Sequence, residues 1–132
     1  MEEGGISVPE TFSSYRDLKV WQEAMELAEE AYSVTRIFPK EEMYGMTSQI
    51  RRSAASVAAN IAEGHGREST GAFVQFLRHA QGSLKELETL LLLAERVRLM
   101  PAGGSVSMMR KCDGLGRMIR SLIRSLQRKA EG

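Results

Sequence analysis

Seven apolar side chains, Phe73, Leu77, Ala80, Leu84, Leu87, Leu91 and Ala94, recur at alternating intervals of four and three without a slip. Side chains at that spacing line one side of an α-helix, whose turn holds about 3.6 residues. A strand would need alternation with a period of about 2. A helix with an apolar seam must bury it against another element, so this run, from about Ser69 or Thr70 to Leu99, requires partners from the rest of the chain.

The partners are also helical. From Ser14 to Ile37, Leu18, Trp21, Met25, Ala28, Tyr32 and Thr35 form one seam. Val20, Ala24, Leu27, Ala31, Val34 and Phe38 form a second. Together they span about 200° of the helical wheel at about 100° per residue. Burying one face takes only about 100°, so this helix has apolar surface left for a second contact, such as a neighbouring subunit. Phe38-Pro39 ends it, because proline disfavours helical geometry in the preceding residue.

A second helix is expected over Glu41–Glu63, with Met43, Met46, Ile50, Ala54, Val57 and Ile61 on one face and Gly64 as its C-terminal cap. After Pro101-Ala102-Gly103-Gly104, a last helix from Ser105 to Lys129 carries the seam Met108, Cys112, Leu115, Ile119, Leu122, Leu126. Gly114 and Gly116 each weaken it by about 1 kcal/mol relative to alanine, a cost that a close helix contact could offset. Residues 1–13 hold glycine, serine and proline without periodicity and read as a flexible tail. Residues 14–130 read as one all-α domain, an up-down-up-down antiparallel four-helix bundle.

Composition narrows the setting. A single cysteine, Cys112, excludes an internal disulfide and fits a reducing compartment. The acidic start Met1-Glu2-Glu3-Gly4-Gly5 does not read as a signal peptide. The apolar run Leu90–Ala94 is far short of the about 20 residues that span a membrane. A cytoplasmic protein without a membrane partner is therefore expected. The net charge of +1 hides a split: residues 1–44 carry ten acidic and four basic side chains, residues 45–132 seven acidic and fourteen basic. Such a split suggests an anionic partner or head-to-tail contact between subunits.

The basic excess has a direction. Arg110, Arg117, Arg124 and Arg128 fall within about 40° on the last helix, with Arg120 beside them, opposite the Met108–Leu115–Leu122 seam. Residues seven apart rise about 10.5 Å, so the stripe reaches several backbone phosphates. Guanidinium binds phosphate through paired hydrogen bonds and stays charged at any working pH. A nucleic acid, RNA or DNA, is thus a candidate partner for Arg110, Arg117, Arg120, Arg124 and Arg128. The alternative is a solvated face, or one paired with the glutamates of the first helix. With only eight aromatic residues in the chain, phosphate contacts and shape should outweigh base stacking.

No enzyme is expected. Gly64-His65-Gly66-Arg67 lacks the spacing and the preceding strand of a phosphate loop. His65 and His79 have no metal-ligand spacing, and no catalytic set, metal site or cofactor is visible. Cys112 falls on an apolar seam and reads as a small hydrophobe.

Several segments together carry a resemblance: Phe38-Pro39-Lys40-Glu41-Glu42, Gln49-Ile50-Arg51-Arg52-Ser53-Ala54, Asn60-Ile61-Ala62-Glu63-Gly64, Phe76-Leu77, and Ala80 through Thr89. Over residues 12–128 the chain resembles the four-helix-bundle family encoded within intervening sequences of bacterial large-subunit ribosomal RNA genes. Accessory variability determinants of diversity-generating retroelements are similar to that family. The resemblance implies a bundle assembling into a homopentamer and no catalytic residues. For the retroelement branch it implies a basic nucleic-acid-binding surface and a reverse transcriptase partner. The second and third helices look closer to the intervening-sequence branch.

Overall fold

The structure, a computed structural model, describes residues 14–131. A 3-10 turn (Tyr15–Asp17) precedes α1 (Lys19–Thr35), and a second (Lys40–Glu42) precedes α2 (Met46–His65); α3 (Thr70–Arg96) and α4 (Val106–Glu131) follow. No strand occurs among the described residues. The expected tail, residues 1–13, lies outside them.

The helices form a square in which α1 packs on α2 and α4, and α3 packs on α2 and α4, while the diagonal pairs stay apart. Short turns make successive neighbours antiparallel, the arrangement expected for alternating amphipathic helices. The core holds one side of each helix: Val20, Ala24, Leu27 and Ala31 from α1; Ile50, Ala54, Val57 and Ile61 from α2. From α3 come Leu77, Ala80, Leu84, Leu87, Leu91 and Ala94, and from α4 Met108, Cys112, Leu115, Ile119 and Ile123. Each fully buried leucine or isoleucine contributes about 1.5–3 kcal/mol of transfer free energy.

The periodic reading of α3 holds from Leu77 to Ala94, and Phe73 at its start is half-buried. Ser69 caps this helix, its Oγ accepting from Ala72 N–H at 3.1 Å. The α3–α4 turn takes Arg98 and Gly103 to φ of 67° and 81°. Leu99 N–H bonds back to Ala94 C=O at 2.9 Å, closing the helix end in the way a left-handed residue permits.

Four expectations are corrected. The first helix starts at Lys19, because Leu18 is extended and Tyr15–Asp17 forms its own turn under Ser14. The second starts at Met46: Gly45 breaks the helix with φ −113° and ψ −112°, and Glu42 Oε1 accepts from Met46 N–H at 3.1 Å. Met43 consequently points outward instead of joining the core face. Gly64 is not a cap, since α2 runs on to His65 and ends at Gly66. On α4 the apolar face shifts from Leu122 to Ile123, which is buried while Leu122 is half-buried. A straight helix drifts about 20° per heptad against a strict seven-residue repeat, and that drift carries the core contact one residue onward.

Gly64 sits where α2 and α3 approach closely. A methyl group there would lie 2.6 Å from Phe76 Cβ and 3.1 Å from Phe73 Cδ1. Farther up the same interface, Ser56 and Ser83 hydroxyls meet at 2.8 Å and Asn60 Nδ2 donates to Ser56 C=O at 2.8 Å. Small side chains let the α2 and α3 backbones approach, and paired hydroxyls satisfy the polar groups enclosed there.

Candidate nucleic-acid interface

α4 joins an apolar face to a cationic one. Met108, Cys112, Leu115, Ile119 and Ile123 are buried, so their side fixes how the helix is turned. The opposite side then faces solvent by geometry alone. Arg110, Arg117, Arg120, Arg124 and Arg128 are all exposed there. The structure brings the five predicted arginines onto one face, as the angular reading required.

Their charge state depends on what pairs with them. Arg117 donates to Asp113 one turn earlier, and both side chains are about two-thirds exposed. An exposed pair of this kind contributes about 0–1 kcal/mol and breaks readily. Arg110, Arg120, Arg124 and Arg128 have no carboxylate within ion-pair distance among the described residues. The glutamates of α1 do not take the arginines: Glu23 pairs with Lys19 on its own helix, and Glu30 Oε1 accepts from Lys111 at 2.6 Å. Ser107 Oγ adds a bond to Glu30 at 3.3 Å. Glu30, first by accepting the Lys111 hydrogen bond and then by its charge, holds the Lys111 ammonium above its ordinary pKa. Lys111 lies on the α1 side of α4 and Glu30 near the C-terminal end of α1. Antiparallel packing therefore puts the two side by side and leaves the arginines on the far arc.

The glycines of α4 play no close-packing part. A methyl group at Gly114 would meet nothing within 4 Å, and one at Gly116 would meet Leu84 Cδ2 at an ordinary 3.5 Å. The expected offsetting helix contact is absent at both positions. Gly116 lines a pocket of about 300 Å³ beside Arg120, between α3 and α4, with Gln81, Lys85, Glu88 and Asp113.

The remaining candidate groups lie elsewhere. Cys112 is fully buried, and burial pushes its thiol pKa up to about 12. His65 stacks edge-on with Phe73 at 5.7 Å, and His79 with Phe76 at 5.8 Å, on the lower part of the α2–α3 pair. Among the described residues no three His, Cys, Asp or Glu side chains gather as metal ligands. No helix among them is long and apolar enough to cross a membrane.

Two features escaped the sequence reading. Glu95 turns its carboxylate into the α3–α4 turn, accepting from Ser105 Oγ, from Gly103 N–H at 2.8 Å and from Ser105 N–H at 3.4 Å. Those donors, the Ser105 hydroxyl foremost, hold its carboxyl below the usual range. Arg51 Nε donates to Thr35 Oγ1 at 2.8 Å, while its guanidinium lies 4.5 Å from the Tyr32 ring centre. It thereby ties α2 to the C-terminal end of α1. A single sequence gives no local pattern for either, because both join residues of different elements.

No curated protein matches the sequence. A solved structure described as a protein of unknown function from the S23 ribosomal protein family of Bacteroides thetaiotaomicron shares the fold, with a TM-score of 0.70 at 24% identity. The match covers 79% of this chain and 97% of that one. A family model described as 23S rRNA-intervening sequence protein matches residues 16–121, and the chain belongs to that family.

Proposed function

We propose that the protein is a non-enzymatic accessory protein that binds nucleic acid, RNA or DNA, through the arginine face of α4, and that it works as a homo-oligomer. One observation carries the reading: five arginines share an exposed face, and four of them have no carboxylate partner among the described residues. Guanidinium groups along a rigid helix suit a phosphate backbone, and few aromatic side chains are free to read bases. Binding is then tolerant of sequence and steeply dependent on salt.

The family resemblance adds a homopentamer, which would array five such faces on one particle. It also adds two settings: the ribosomal RNA intervening sequence, and support of a reverse transcriptase in a diversity-generating retroelement. Neighbouring genes separate the two. A reverse transcriptase gene with a variable repeat selects the retroelement, and a location inside a ribosomal RNA gene selects the other.

The test is a titration of structured RNA and of duplex DNA against the wild type and the Arg117→Glu/Arg124→Glu double variant. The expected result is at least about a tenfold loss of affinity in the variant. The slope of log K against log salt should fall by about 0.9 for each DNA phosphate contact removed. Absence of wild-type binding at low salt overturns the proposal. If the chain still assembles under those conditions, it is a structural interaction module of its family.

A further inference from the structure

Two apolar surfaces lie outside both the core and the arginine face. The first is a groove of about 610 Å³ between α1 and α2. Trp21, Met25 and Tyr32 form its α1 wall, and Ala55, Ala59 and Ala62 its α2 wall. Met25 is 38% and Tyr32 46% exposed. The alanines keep one wall low, so the groove admits branched side chains from outside. This is the surplus seam of the first helix: its second seam fills the core, and its first is left half outside. Glu29 lines the groove and Glu26 lies exposed nearby, with Arg36 at the far end.

The second surface is the C-terminal end of α3. Leu92, Leu93 and Val97 are 47%, 43% and 53% exposed there. Arg96 and Arg98 flank them, both exposed. Glu95 lines the same end with its carboxylate held toward the turn by Ser105 and Gly103, so two guanidinium groups stand there against one carboxylate. The α3 backbone packs beside α2 and α4 and lies across the bundle from α1, so this end and the groove belong to different sides of the bundle.

We propose that these two surfaces are the halves of one head-to-tail contact, in which the α3 end of one copy seats in the α1–α2 groove of a second copy. The occupant is a second copy because one repeated contact covers both patches on every molecule, whereas a foreign protein on either patch leaves the other exposed. Contiguous apolar patches on a folded surface mark interaction sites. The charges agree: Arg96 and Arg98 approach the side that carries Glu26 and Glu29, and the chain as a whole is acidic in its first third and basic beyond it. A contact between unlike surfaces does not end at two copies; it closes into a ring or continues as a fibre. The inference rests on the homo-oligomeric part of the reading above and is independent of nucleic-acid binding.

A complementation experiment tests it. Ala59→Arg fills the groove, and Leu93→Glu puts a carboxylate on the α3 end; both positions are solvent-exposed. Light scattering should find an assembled wild type and a single-chain mass for each variant alone. An equimolar mixture should recover a species of two chains and no more. The Leu93→Glu chain keeps an intact groove and the Ala59→Arg chain an intact α3 end, so together they form one sound contact. Circular dichroism melts near the wild-type value show that both variants fold.

A wild type of single-chain mass overturns the proposal, as does a mixture that stays at one chain. Assembly by Leu93→Glu alone points to groove-to-groove contact and overturns it. Wild-type assembly by Ala59→Arg gives the groove to another occupant, residues 1–13 or a foreign protein, and overturns it too. Both variants keep all five α4 arginines, so a titration with RNA reads the nucleic-acid proposal separately.

Discussion

Gly64 and Gly114 both sit inside α-helices, yet a methyl group added to each would enter different surroundings. At Gly64 it would press on Phe76 Cβ, an atom that cannot move unless α3 moves. At Gly114 it would meet open space. The α2–α3 pair is thus a fitted joint, closed by small residues and a paired serine contact. α4 is fitted only along its inner side and carries its charges on a face that packs against nothing described. Stability and the proposed binding surface therefore reside in different parts of the bundle, and substitutions can address them one at a time.

The same change at the two glycines should have opposite signs. Gly64→Ala is expected to cost about 1–3 kcal/mol, the usual penalty for overpacking a close contact. Gly114→Ala should stabilise by up to about 1 kcal/mol, because alanine removes the conformational freedom that glycine brings to an unfolded chain and nothing resists its methyl. Denaturant unfolding of both variants checks the pair. Equal signs would break the contrast between a fitted α2–α3 joint and a slack α4.

The smallest effect sharpens the contrast at the α3–α4 turn. Glu95 has a carboxyl held below its ordinary value in the folded chain, so its contribution is present above the unfolded pKa of about 4.3 and is lost as pH falls through the lower folded value. Glu95→Gln should lower the melting temperature at neutral pH. The gap to the wild type should narrow as pH falls below the ordinary carboxylate range, where the wild-type carboxyl also takes up its proton. A gap that stays constant with pH would mean that Ser105 and Gly103 are held by shape and not by the carboxylate.

Much of this was legible in the residues because helical periodicity is a local property. The α3 seam, the four-helix class and the common direction of Arg110, Arg117, Arg120, Arg124 and Arg128 follow from spacing alone, since about 100° per residue fixes which side chains share a face. The sequence also showed that the first helix has two apolar seams, but not which one would enter the core. That choice fell to Val20, Ala24, Leu27 and Ala31, and it left Trp21, Met25 and Tyr32 to form a groove.

The rest was decided by neighbours distant in the chain. Gly64 looks like a cap in its own segment; only the approach of α3 makes it a spacer. The acidic first helix could equally have neutralised the arginines, until antiparallel packing placed Lys111 beside Glu30. Periodicity assigns each side chain a direction about its own axis, whereas the partner met in that direction depends on how helices are turned and set against one another. The sequence by itself determined the helices and their faces, and the tertiary structure decided which faces were consumed in the core and which were left outside.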